Sequence, residues 1–149
     1  MGQRIIEGVK LNSLKEIKSE KGSVLHMLRS DDLDFENFGE CYFSEVFMGC
    51  IKGWKKHLIQ TQNLCVPVGL IKFVLYDDRL ESSTYQEINT YILGRPTDYF
   101  RLTIPNGIFY SFKNISNQNS LIVNCADIPH DSKESIIKEI NNKEIPYKW

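Results

Sequence analysis

The chain lacks three things that would mark common functions. It has no CxxC pair, no apolar run near the roughly 20 residues of a membrane span, and no excess of charge of either sign. Its four cysteines, Cys41, Cys50, Cys65 and Cys125, are scattered, which argues against a zinc knuckle or a thioredoxin-like redox motif. The opening stretch MGQRIIEGVKLNSLKEIKSEKG is polar, with no apolar signal core, and Ile6 stands where N-myristoylation favours Ser or Thr. Lys plus Arg number 18 against 19 for Asp plus Glu, a formal net charge of -1. Nucleic acid and anionic membranes demand a clear basic excess or stripe, so neither is an expected partner. These features together predict a cytoplasmic protein with reduced thiols. The length of 149 residues and a hydrophobic share of 42% suit one domain, 1–149, with a sizeable core.

What is present is a series of short runs rich in Val, Ile, Phe and Tyr. They are SVLHML (23–28), GECYFSEVF (39–47), CIKGW (50–54), LCVPV (64–68), LIKFVLY (70–76), EINTYIL (87–93), YFRLTI (99–104), GIFYSF (107–112) and SLIVNCA (120–126). Gly, Asn and Pro punctuation separates them, and many strands at short spacing predict an all-β barrel or sandwich such as a jelly roll. Only DSKESIIKEINN (131–142) reads as helical. Asp131 or Ser132 can cap its start, and Ile136, Ile137 and Ile140 supply an apolar stripe. The acidic stretch SDDLDFENF (30–38) lacks the Gly of a calcium loop and reads as a solvated loop.

A jelly roll raises the question of metal. Metal-binding cupins carry an HxH pair followed by Glu, then a PxGxxHxxxN motif. Here Pro105, Gly107 and Asn114 keep the second spacing, but Tyr110 takes the His position. In the first motif Lys55 and His57 occupy the two His positions, and the Glu falls on Thr61 or Gln62. An ammonium beside one imidazole repels a divalent ion, so the expected site is metal-free and without cofactor.

The order KGWxxH (52–57), GLIKFVLYDDRxxSST (69–84), RLTIPxGxxxxF (101–112) and NCADIPHD (124–131) resembles the dTDP-4-dehydrorhamnose 3,5-epimerase family, metal-independent RmlC-like cupins acting on nucleotide sugars. It is particularly similar to a short-chain branch that shares HMLRSDD, FGECYFSEV and an IPYxW tail, over about residues 22 to 149. The resemblance implies a nucleotide-sugar substrate, a setting in deoxysugar or surface-polysaccharide synthesis, and a homodimer with exchanged N-terminal strands.

The family's chemistry needs a base beside a ketone, a cation for the enolate and an acid for the returning proton. Carried over by position, the family's base falls on Lys55, its enolate-stabilising Lys near Asn63, its late-strand Tyr near Val123, and its motif Arg on Lys52. A rearranged site is therefore expected. Lys55 and His57 lie two apart and share one strand face, while Trp54 and Lys56 take the other. His57 matches the second His of the related 3,4-ketoisomerases and is the candidate base, Lys55 the enolate partner, and Tyr110, or else Tyr42 or Tyr76, the proton donor. Lys52, Thr61, Asn63 and Arg29 are candidate substrate-binding residues. Asp78 and Arg79 read as a structural ion pair, His130 as a loop or capping residue and His26 as an edge-strand residue. The alternative is a cupin that binds a sugar nucleotide without turning it over.

Overall fold

The computed structural model describes residues 3–149. Twelve strands run β1 (Lys10–Ser13), β2 (Glu16–Ser19), β3 (Gly22–Leu25), β4 (Glu40–Val46), β5 (Ile51–His57), β6 (Gln62–Val68), β7 (Leu70–Asp77), β8 (Ile88–Gly94), β9 (Phe100–Ile104), β10 (Ile108–Asn114), β11 (Ser120–Ala126) and β12 (Ser135–Ile137). Two five-stranded sheets form, in the orders β1-β9-β6-β11-β4 and β12-β5-β10-β7-β8. Their inner faces share one core, with Leu64, Val66, Leu102 and Ile122 from the first sheet meeting Ile71, Phe73, Leu75 and Ile108 from the second. This is the expected jelly roll.

Strand β7 is apolar almost throughout because both its faces are covered. Ile71, Phe73 and Leu75 point into the shared core. Val74 and Tyr76 point outward and join Trp54, Phe109 and Ile145 in a second cluster, under the C-terminal segment. The tail docks there, with Tyr147 edge-on to Trp54 and the Trp149 indole donating to Ser111 Oγ at 3.0 Å.

The helix expected over 131–142 does not form. Asp131 instead caps a single 3-10 turn, Ser132–Glu134, accepting from the Lys133 amide at 2.9 Å. The chain then enters β12, whose Ile136 lies opposite Lys56. Two adjacent β-branched residues favour extended backbone, and the edge of β5 not used by β10 supplies pairing groups that an isolated helix would have left open. The apolar spacing that suggested a helix stripe was carried by a strand and the tail after it.

At the N-terminus, KLNS and EIKS form strands that their polar composition did not announce. β1 pairs with β9, while β2 and β3 make a separate hairpin in which Ile17 lies opposite Val24, both exposed. The expected pair Asp78–Arg79 is also rearranged. Arg79 binds Asp77 (2.8 Å) and Asp78 binds Lys56 (2.9 Å). Asp77 ends β7 fully buried and needs the guanidinium, whereas Asp78 is turned to the outer face.

Candidate functional site

The site begins with an irregularity in β5. Tyr110 of β10 lies opposite Lys55, but Ser111 lies opposite Gly53, so Trp54 is an extra residue in the ladder. Such a bulge resets which side chains point inward. Gly53 is required there, because its φ is +121° and a Cβ would lie 2.6 Å from that of Ser111. The result places Lys52, Lys55 and His57 on the inner face and sends Trp54 outward, although Lys52 and Lys55 are three apart.

Lys52 and Lys55 border a cavity of about 200 Å³ between the sheets, walled by Lys52, Lys55, Tyr110 and Phe112 on one side and by Tyr42, Leu64 and Asn124 on the other. His57 sits one layer behind Tyr110, 3% exposed, with its Nε2 3.2 Å from the Tyr110 hydroxyl. Its Nδ1 is hydrogen-bonded to Oε1 of Glu134. The second oxygen of Glu134 accepts from the amides of Gln60 (3.2 Å) and Ile59 (3.3 Å). Glu134, His57 and Tyr110 thus form one line running from the 3-10 turn to the cavity wall.

The electrostatics set the protonation states. Burial pushes His57 below its ordinary value of 6.5, against the pull of Glu134, and nearby Lys55 adds to the downward shift. Burial also resists ionisation of Glu134, but hydrogen bonds from His57 and from the two amides outweigh it and hold the carboxyl below its usual range. Burial drives the Tyr110 phenol far up, so it stays protonated. A carboxylate facing Nδ1 selects the tautomer with its proton there, leaving Nε2 as an acceptor for the Tyr110 O–H. Lys55 enters no ion pair among the described residues. Its ammonium is available to a ligand. Lys52 is held at the rim by the carbonyl of Glu45 (2.6 Å) and by Ser44 Oγ (3.4 Å).

Other sequence candidates lie elsewhere. Strand alternation turns Gln62 and Leu64 inward and Asn63 outward, so Thr61 and Asn63 line a separate groove with Thr103 and Asp127. There Asn63 accepts from Thr103 Oγ1 (2.8 Å) and donates to the Cys125 carbonyl (3.1 Å). Arg29 is paired with Asp31 at 2.7 Å beside yet another groove, lined by His26 and Arg101. Of the three tyrosines considered, Tyr110 and Tyr42 face the cavity and Tyr76 faces the outer cluster. Glu134, Gln62 and Asn124 were missed. The parity of Gln60, Gln62 and Leu64 was a usable signal for Gln62, but Glu134 was hidden in the supposed helix. Among the described residues no cluster of three His, Cys, Asp or Glu side chains is placed to hold a metal ion.

No family model matches the sequence. Individual relatives do. A dTDP sugar isomerase from Desulfovibrio desulfuricans G20 is 44% identical, and its crystal structure superposes with a TM-score of 0.95 over 97% of this chain and 92% of that one. A probable low-salt glycan biosynthesis epimerase, Agl13, from Haloferax volcanii is 28% identical over 95% of this chain and 88% of its own length. The dTDP-4-dehydrorhamnose 3,5-epimerase of Bacillus anthracis shares the fold at 21% identity, with a TM-score of 0.84 over 95% of this chain and 85% of its own. With the cupin fold, the inner-face Lys52, Lys55 and His57 of KGWKKH, and a full-length relative at this identity, the chain belongs to the RmlC-like family of dTDP-sugar isomerases and epimerases.

Proposed function

We propose that this protein is a nucleotide-sugar isomerase acting on a dTDP-4-keto-6-deoxyhexose, in the synthesis of deoxysugars for surface glycans. The observation that carries this reading is the Glu134–His57–Tyr110 line, which ends in a cavity beside the unpaired ammonium of Lys55. The Tyr110 oxygen takes the proton from the carbon next to the ketone while its own proton passes to His57 Nε2, and Glu134 stabilises the imidazolium. The electron pair of the broken C–H bond moves onto the carbonyl oxygen, where Lys55 holds it. Reversal delivers the proton to the former carbonyl carbon as the neighbouring hydroxyl gives its proton to the enolate oxygen. The ketone has then moved one carbon along. A single relay can perform both halves of this shift, which favours ketoisomerisation over epimerisation, since inversion needs a second acid on the opposite face. Lys52 at the rim would meet the diphosphate as a point charge rather than a planar fork.

The experiment is incubation with dTDP-4-keto-6-deoxyglucose in deuterated water, followed by NMR of the sugar. A product with a displaced ketone, absent with His57→Ala, is the expected result. Tight binding with neither product nor exchange would instead identify a binding cupin and end the enzyme reading.

The same reading takes residues 1–149 as a single cupin domain working as a homodimer with exchanged N-terminal strands. Support comes from the β2–β3 hairpin, which pairs only with itself in the described sheets and leaves Ile17 and Val24 exposed. The reading also takes the protein as cytoplasmic, on the scattered spacing of its cysteines.

A further inference from the structure

Behind the cavity, a row of amide side chains forms a chain of hydrogen bonds whose direction is fixed at one end. Gln60 donates its amide N–H to the carbonyl of Ile128 at 2.6 Å, and that oxygen can only accept. Gln60 therefore turns Oε1 toward Gln62, which donates to it through Nε2. Gln62 in turn presents Oε1 to Asn124, which donates through Nδ2. The same Asn124 amide donates to the Tyr42 hydroxyl oxygen at 2.8 Å. Reversing any one amide in the row would set two donors or two acceptors against each other, away from water, where mispairing is expensive.

Two hydrogen-bonding functions are left over at the end of the row. Asn124 Oδ1 is buried and has no partner, on a residue that is 1% exposed and lines the cavity. Tyr42, also on the cavity wall, accepts from Asn124, so its own O–H remains to be donated. We infer that Asn124 and Tyr42 together read one hydroxyl group on the sugar ring of the ligand. The ligand O–H donates to Asn124 Oδ1, and its oxygen accepts from the Tyr42 O–H. A ketone at that ring position offers no donor, a deoxy carbon offers neither function, and a carboxylate would face Oδ1 with a like charge. The pair thus selects hexoses that keep this hydroxyl. The inference rests on the nucleotide-sugar reading above and specifies what that site discriminates.

Calorimetric titration tests it, with dTDP, dTDP-6-deoxyglucose and the 2-, 3- and 4-deoxy analogues of the latter as probes. Wild type is expected to bind one of the three analogues about 100-fold more weakly than the parent, as loss of two hydrogen bonds at about tenfold each implies. Asn124→Leu and Tyr42→Phe should each weaken the parent by about tenfold, leave dTDP unchanged, and discriminate about tenfold less against that analogue. Tyr42→Phe changes only one oxygen and decides the matter should Asn124→Leu fail to fold. Equal binding of all three analogues by wild type, or equal losses for dTDP and the sugar nucleotide in the variants, would overturn the inference. Hydroxyl discrimination without turnover defeats the proposed isomerase alone. Turnover without discrimination defeats this inference alone, and no binding of any dTDP-hexose overturns both.

Discussion

His57 Nδ1 and Glu134 Oε1 share a hydrogen bond that ties the end of β5 to a 3-10 turn 77 residues further along the chain. The carboxylate has a second function in the same place, because its other oxygen accepts from the amides of Ile59 and Gln60 and so holds the turn after β5. One side chain thereby orients the candidate base and shapes the backbone next to it.

Glu134→Gln keeps the size of the side chain but removes the charge facing Nδ1. The imidazolium formed during proton transfer loses its counter-charge, so kcat should fall about 100-fold, the low end for general acid–base catalysis. Steady-state kinetics on the keto sugar, with dTDP affinity as the control for folding, checks this. An unchanged kcat would remove Glu134 from the relay.

Lys55→Ala should separate binding from chemistry. The ammonium lines the cavity without an ion pair, so its removal disturbs little of the fold, while loss of an oxyanion partner lowers kcat by about 100- to 1,000-fold. The melting temperature and dTDP affinity should stay close to wild type. A rise in KM alone, with kcat intact, would reassign Lys55 to ground-state binding.

The depressed basicity of His57 has a consequence for stability. In the folded protein burial keeps the imidazole neutral below its ordinary 6.5, whereas the unfolded chain takes up the proton near that value. The unfolded state binds more protons in that window, so the contribution is fully present above about pH 6.5 and is lost as pH falls through the folded value. Glu134 acts in the same direction lower down, where stability is lost as pH drops below its ordinary 4.5. Urea midpoints measured from pH 8 to pH 4 should decline, and the step below pH 6.5 should be reduced in His57→Gln.

Asp77→Asn addresses the fold rather than the chemistry. Asp77 is fully buried and accepts from Arg79 Nε (2.8 Å), Ser82 Oγ (2.7 Å) and Thr84 Oγ1 (2.7 Å), while Arg79 also donates to the Glu7 carbonyl at 2.8 Å. Removing the charge leaves Arg79 without its partner, and the loss should be about 3 kcal/mol, the low end for a broken buried pair because the guanidinium keeps some solvent. Chemical denaturation at pH 7 measures it, and proteolysis before Lys10 should accelerate as the N-terminal segment loosens.

The jelly roll was legible because its strands are rich in β-branched and aromatic residues between Gly, Pro and Asn turns, a local signal that needs no partner to be read. The pairing of Lys55 with His57 on one face was legible for the same reason, since alternation is a property of a single strand. Local reading failed where a long-range partner decided the outcome. Ile136 and Ile137 fit a helix stripe as well as a strand, and only the open edge of β5 chose between them. Asn63 was placed in the site by homology of position, whereas alternation relative to the sheet turned Gln62 inward instead.

Residue pattern was enough to read the family scaffold, the apolar strands and the shared strand face of Lys55 and His57. Tertiary structure alone decided what those residues can do. The bulge at Trp54 brought Lys52 and Lys55 onto one face, and the 3-10 turn carried Glu134 to His57. Hydrogen bonds between groups tens of residues apart depend on sheet register and on side-chain direction, and neither is encoded in the spacing of residues along one strand.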